Sequence, residues 1–245
     1  MPDYDRVADD YARHAAIKTP YDVIAFHTFL NVLGPVRGLD ILDLATGEGR
    51  SARLLMAQGA AHVLGVDISP AMIRRAIAHE PSVPGLRYQV LDARDPTFQL
   101  DPPADRVTAM YLLHYAPTLD DLAAMCRLIA RNLAPGGRFV TITHNPDFDP
   151  DRQSHDFVPT FGSFAVTHVA GPHCRLMIDD RGVDIWQRSR QDHEETLREA
   201  GLTDIGWHPL RAPPNRPDLA GEGAWYLANP HCIVLSARRA ALPAS

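Results

Sequence analysis

Lysine is almost missing from this chain: Lys18 is the only one, and every other basic side chain is arginine. That argues against a Schiff base formed on lysine and against a phosphate loop closed by one. Cysteine is nearly as scarce. Cys126, Cys174 and Cys232 are far apart and none opens a Cys-x-x-Cys pair, so neither a zinc ribbon nor a disulfide framework is expected, and the usage fits a reducing cytoplasm. No apolar run is long enough to cross a bilayer. The opening residues Met1-Pro2-Asp3-Tyr4-Asp5 are acidic with no apolar stretch behind them, so a cytoplasmic protein with no secretory signal is expected. A basic block is absent too: 24 basic against 30 acidic residues give a formal charge of -6. Non-specific nucleic-acid binding is therefore disfavoured, and small molecules become the favoured partners.

What is present is enough for a full core, since 245 residues with 45% hydrophobic side chains suit one compact domain. Val7, Tyr11 and Ala15, then Ile24, Phe26, Phe29, Leu30 and Leu33, recur at helical spacing until Gly34-Pro35 stops them. Strands then alternate with helices. Strands are expected over Leu39 to Ala45, Val63 to Asp67, Tyr88 to Leu91, Arg106 to Leu113 and Arg138 to Thr143. Ser69-Pro70 caps one helix and Thr118 another, whose stripe is Leu122, Met125, Ile129 and Leu133, with Pro135-Gly136-Gly137 ending it. This rhythm predicts an α/β, doubly wound, mostly parallel sheet. Over 145–190 the composition changes to proline, glycine, histidine and aromatics, with β-like pieces at Phe164 to Val169, Arg175 to Ile178 and Val183 to Trp186: an inserted substrate cap. Asp192, with Glu195 three positions on, opens a last helix that closes at Gly201, followed by strands Ile205 to His208 and Cys232 to Ala237.

In such a sheet ligands bind where the strand order reverses, outside the carboxyl ends of the strands. Gly47-Glu48-Gly49 lies at such an end, and Asp67 ends the next strand, placed to accept from ribose hydroxyls. Two ligands remain open here, because Gly47-x-Gly49-x-x-Ala52 also satisfies the dinucleotide fingerprint of a nicotinamide-dependent oxidoreductase. Asp43, inside the first strand, would repel a pyrophosphate and attract a cationic ammonium or sulfonium. Asp92 ends a third strand and can accept from an adenine amino group.

At this point the chain resembles the class I S-adenosylmethionine-dependent methyltransferases. Ile41-Leu42-Asp43-Leu44-Ala45-Thr46-Gly47-Glu48-Gly49 is similar to their glycine-rich motif, with Ala45 where glycine is commoner. Val66-Asp67 with Ser69-Pro70-x-Met72 is similar to their ribose motif, Asp92-Ala93 to their adenine motif, and Leu133-x-Pro135-Gly136-Gly137-Arg138 to the turn before their fifth strand. The resemblance implies a Rossmann-like, seven-stranded sheet with an amino-terminal helical lid over 1–35, and S-adenosyl-L-methionine as cofactor with S-adenosyl-L-homocysteine as product. Gly47 and Gly49 would face the methionine part, Asp67 the ribose, and Asp92 with Ala93 the adenine, with Asp43, Ala45, Ile68, Met72 and Met110 completing the cofactor site. Tyr4-Asp5-x-Val7-Ala8-x-x-Tyr11 is similar to the lid of small-molecule, UbiE-like members, so Tyr4 and Tyr11 would cover the cofactor. Together with Asn229-Pro230-x-x-Ile233, that lid also resembles toxoflavin-type N-methyltransferases of specialised metabolism.

A sulfonium is already an activated methyl donor, so transfer to a small acceptor, aromatic or heterocyclic, needs alignment rather than a metal. Where the acceptor carries a proton, His144 after the fifth strand and His114 after the fourth are the candidate bases. Asn145 could orient a polar substrate, Tyr115 lies beside it, and Phe157, Phe161, Phe164 and Trp186 of the cap offer aromatic walls. His155, His168, His173 and Cys174 match no metal-ligand spacing. The place after the fourth strand reads Met110-Tyr111-Leu112-Leu113-His114, without the Asn/Asp-Pro-Pro-aromatic run of amino-directed nucleic-acid enzymes. A nicotinamide-dependent oxidoreductase and a non-catalytic adenosyl-ligand binding module are the competing functions, and monomer and homodimer both remain open.

Overall fold

In the computed structural model the described residues are 20–79, 82–149, 152, 164–178, 181–222 and 224–241. The expected lid residues Tyr4 and Tyr11 and the cap aromatics Phe157 and Phe161 lie outside them. The chain begins with α1 (Pro20–Leu33), then β1 (Asp40–Leu44), α2 (Arg50–Ala57), β2 (His62–Asp67), α3 (Pro70–His79), β3 (Leu86–Val90) and β4 (Ala104–Met110). After a 3₁₀ turn (Leu113–Tyr115) come α4 (Leu119–Asn132) and β5 (Leu133–His144). A small antiparallel sheet of β6 (Phe164–Ala170), β7 (His173–Ile178) and β8 (Arg181–Trp186) interrupts the alternation. It is followed by α5 (Arg190–Glu199), β9 (Leu202–His208), α6 (Pro217–Glu222), α7 (Ala224–Ala228) and β10 (Cys232–Arg239).

Seven strands form one sheet in the order β3-β2-β1-β4-β5-β10-β9. β1 pairs in parallel with both β2 and β4, so the strand order reverses beside β1 and a crevice opens at its carboxyl end. β10 runs antiparallel to β5 and to β9. A dinucleotide fold in the order 3-2-1-4-5-6 has no such reversed strand between its fifth and its edge, so the topology weighs against the nicotinamide alternative. The sheet separates two cores. Leu122, Met125 and Ile129 of α4 pack with Leu44, Phe139 and Leu235 on one face, and Ile24, Phe29 and Leu33 of α1 pack with Val140, Ile142 and Val234 on the other. Coverage on both faces explains why the central strands read as continuous apolar runs rather than as alternation.

Local chemistry moves several expected boundaries. The helix α5 starts earlier than Asp192: Ser189 is its cap, accepting from the Asp192 amide at 3.0 Å, while the Asp192 carboxylate accepts from the Ser189 amide at 2.9 Å. Asp192 is thus the third residue of a capping box and not its first. Pro135-Gly136-Gly137 does not end α4, which stops at Asn132; those residues belong to β5, taken up where the β4–β5 register shifts between Ala104 and Arg106. β4 ends at Met110 instead of Leu113, because Tyr111 adopts φ 61° and turns the chain. The cap sheet lies between β5 and α5, with β8 against the Leu113–Tyr115 turn and Arg188 donating to the Ala116 and Pro117 carbonyls at 3.1 and 2.6 Å. Among the described residues no helix is long and apolar enough to cross a membrane.

Asn132 holds the loop before β4 to the end of α4. Its side chain is fully buried, its Oδ1 accepts from the Leu100 amide at 2.7 Å, and its Nδ2 donates to the Leu128 carbonyl at 2.9 Å. Replacing it by leucine leaves the partly buried Leu100 N–H without that acceptor. Asn132→Leu is expected to lower stability by about 1–3 kcal/mol in urea unfolding monitored by circular dichroism; an unchanged midpoint would show that the loop is not held this way.

Candidate functional site

The turn after β1 is built on a buried carboxylate. Asp43 is fully buried, and its Oδ2 accepts from the Thr46 hydroxyl at 2.6 Å and the Ser51 hydroxyl at 2.5 Å, while Oδ1 accepts from the Thr108 hydroxyl at 2.7 Å. Burial pushes its pKa up, and the three hydroxyls oppose that by donating to the ionised form. The side chain does not reach the open crevice. Asp43 ties β1, the turn, the first turn of α2 and β4 together, and is not among the residues that line the cavity.

That turn needs glycine for two separate reasons. Gly49 caps α2 in the left-handed region at φ 82°, and a Cβ there would run into the ring of Tyr88 on β3. Gly65 of β2 lies in register between Asp43 and Tyr88, and its missing side chain lets the Tyr88 ring cross to the turn, where the phenol donates to the Gly49 carbonyl at 3.5 Å. Gly47, at φ 57°, has open space where a Cβ would stand. Its amide donates to Asp67 Oδ2 at 2.9 Å, and the Ser69 amide donates to Asp67 Oδ1 at 2.9 Å, which fixes the carboxylate at the end of β2 beside the turn.

These strand ends wall a cavity of about 290 Å³. Ala45, Gly47, Asp67 and Ile68 line it from the first two strands, Asp92 and Ala93 from the loop after β3, and Met110 from the end of β4, with Met72 of α3 behind. Ile68 is 41% exposed, an apolar side chain left at the rim. Asp67 and Asp92 thus share one cavity wall. Arg94, which motif matching does not single out, also lines it. Its guanidinium donates to Asp92 Oδ2 at 2.7 Å and to Asp121 Oδ1 at 2.9 Å, and the Arg94 amide donates to Asp92 Oδ1 at 2.9 Å. The Arg94 fork holds the Asp92 carboxyl below its ordinary range, so Asp92 remains an ionised acceptor.

The acceptor side is less uniform. Tyr115 and Trp186 line the cavity, together with Tyr111 and Asp184, which sequence reasoning misses. Tyr111 is a bulky residue at φ 61°, strained backbone of the kind that collects at functional sites, and only coordinates could reveal it. His114 and His144 do not line the cavity among the described residues. His114 is buried with its ring 4.4 Å from that of Tyr115, and burial pushes its pKa well down. His144 is 8% exposed, neither ring nitrogen has a hydrogen-bond partner, and burial pushes its pKa down to about 4. Asn145 differs from expectation: its Nδ2 donates to the Pro230 carbonyl at 2.9 Å and its Oδ1 accepts from the Asp147 amide at 3.1 Å, so it is a strut between the ends of β5 and β10.

A family model for a methyltransferase domain matches residues 41–137. Over 129 residues the chain is 36% identical to a dTDP-4-amino-2,3,4,6-tetradeoxy-D-glucose N,N-dimethyltransferase of Saccharopolyspora spinosa, covering 52% of this chain and 47% of that protein. It is 38% identical over 117 residues to a ubiquinone biosynthesis O-methyltransferase of Aeromonas salmonicida, covering 46% of this chain and 47% of the relative. The chain thus spans about half the length of the curated relatives it matches. A solved S-adenosylmethionine-dependent methyltransferase of Mesorhizobium loti shares the fold, with a TM-score of 0.68 at 24% identity over 90% of this chain and 100% of that one. With its reversed β10, its glycine turn and its two acidic strand ends on one cavity wall, the chain has the fold of solved S-adenosylmethionine-dependent methyltransferases, and its residues 41–137 match a methyltransferase domain.

Proposed function

We propose that the protein transfers a methyl group from S-adenosylmethionine to an oxygen or nitrogen of a small-molecule acceptor. The observation that carries this is Asp67, held by the Gly47 and Ser69 amides in the wall of a cavity that Gly47 also lines. The carboxylate at the end of β2 would hold the ribose while it orients the turn. Asp92 and the Ala93 backbone would meet the adenine, with Ile68 and Met72 on its apolar sides. Bound there, the cofactor supplies a methyl group already activated on a sulfonium.

What remains for the chain is alignment and exclusion of water. The strained Tyr111, Met110 and the cap strand β8 enclose the space beyond the cofactor half. His144 and His114 stay the candidate bases for an acceptor that carries a proton, although neither lines the cavity and His114 packs against the ring of Tyr115. His144 suits that part because burial keeps it neutral and both ring nitrogens are unengaged. The segment 1–35 as a lid and 145–190 as an acceptor cap belong to the same proposal, as does an intracellular setting.

Calorimetric titration with S-adenosylhomocysteine tests the cofactor half. Binding by the intact protein is expected, with Asp67→Ala weaker by about 10- to 100-fold, the loss of hydrogen bonds to a charged group. No binding by the intact protein would remove the proposal.

The histidines give a second test, on stability. His144 and His231 are both pushed by burial to about 4, against about 6.5 in an unfolded chain, and His114 and His193 are lowered in the same way. Between those values the unfolded state binds more protons, so stability is complete above about pH 6.5 and falls as pH drops towards 4. Urea midpoints are expected to fall steeply from pH 7 to pH 5. His144→Gln should remove about one proton from that slope, and an unchanged slope would place His144 in contact with water.

A further inference from the structure

The cavity wall carries a third carboxylate that the cofactor does not account for. Asp67 belongs to the proposed ribose position and Asp92 is clamped by Arg94, but Asp184 lines the cavity from β8 of the small antiparallel sheet. The cationic side chains nearest to it approach one oxygen, without a hydrogen bond to it. His173 Nε2 stands 3.0 Å from Oδ1, and Arg175 comes only to 3.8 Å from the same atom. Among the described residues nothing is bonded to Oδ2, and the side chain remains 35% exposed. His173 also stacks on Trp186, with ring centroids 5.2 Å apart and planes 13° apart. One histidine therefore positions both the carboxylate and the indole that line the cavity.

Resting on the methyltransferase assignment above, we propose that Asp184 and Trp186 select the acceptor, and that the acceptor is a small molecule carrying a basic amine. The charge of the wall points this way. Its carboxylates are Asp67, Asp92 and Asp184, and its single cation among the described residues, Arg94, is spent between Asp92 and Asp121. A carboxylate-bearing acceptor would find no counter-charge there, whereas an ammonium finds Asp184 Oδ2 and the faces of Trp186, Tyr115 and Tyr111. A hydroxyl could hydrogen-bond to Asp184 but would gain neither the charge pairing nor the cation–π attraction.

The test uses the full chain saturated with S-adenosylhomocysteine and matched probes that share a skeleton: tyramine, tyrosol and 4-hydroxyphenylacetate, then cyclohexylamine, cyclohexanol and cyclohexanecarboxylate. Binding is read by calorimetry, and methyl transfer by product mass with S-adenosylmethionine in place of the product. At least one amine is expected to bind about tenfold or more tighter than its alcohol, with the carboxylate weakest. Asp184→Asn should erase the preference for the amine while S-adenosylhomocysteine affinity changes less than about threefold, and Trp186→Leu should weaken the amine alone. Preference for an alcohol or carboxylate, an amine preference that survives Asp184→Asn, or no response to any amine while S-adenosylhomocysteine binds would overturn the acceptor assignment and leave the cofactor reading standing. Failure of S-adenosylhomocysteine to bind overturns both.

Discussion

The site depends on a carboxyl group hidden inside the sheet. Asp43 is the kind of group an interior rejects, since a carboxylate removed from water loses hydration that only good hydrogen bonds can replace. Three hydroxyls replace it, one from the turn, one from the first turn of α2 and one from β4. Because they come from three elements, the carboxylate is satisfied only when those elements stand in one arrangement. The position of the turn is thereby tied to the register of β1 on β4. Asp43 also lies under the amino terminus of α2, where the helix dipole favours a negative charge. The glycine turn is held from below by Asp43 and from the side by Tyr88, and Gly65 is the small residue that allows both.

Carboxylates in this molecule have different duties according to what they already hold. Asp43 has its acceptors filled by hydroxyls and works as a joint. Asp67 takes two amides and still faces the cavity. Asp92 is kept ionised by Arg94, which Asp121 holds in turn, so its place depends on α4 as much as on its own loop. A sequence shows three acidic strand residues as equivalents. The bonding partners separate them into one that shapes the turn and two that present charge to a ligand.

Legibility follows the range of the interactions. The parallel sheet, the helices and the Gly47, Asp67 and Asp92 positions were readable because each rests on a local pattern: apolar runs, caps, and turns at strand ends. The start of α5 was misplaced because Asp192 satisfies the same pattern as Ser189, and only the bonds show which is first. Asn145 looked like a substrate contact because it follows a strand end. Its two side-chain bonds reach Pro230, 85 residues away, and Asp147. Arg94 and Tyr111 were not found for the same reason: one is defined by a partner 27 positions on and the other by a backbone angle.

The segment between β5 and α5 forms a layer of its own. Its sheet is paired only within itself, β6 to β7 to β8, and meets the main domain through β8 on the Leu113–Tyr115 turn and through Arg188 on the carbonyls that follow. Those anchors stand on the segment that the strained Tyr111 turns out of β4. Part of the cavity wall is therefore built from strand ends fixed by the sheet, and part from a separate layer that meets the sheet at that turn. Such a layer can change its side chains at Asp184 or Trp186 without disturbing Asp43 or the glycine turn. That separation lets the lining contributed by the layer vary while the strand ends and their turn stay as the sheet fixes them.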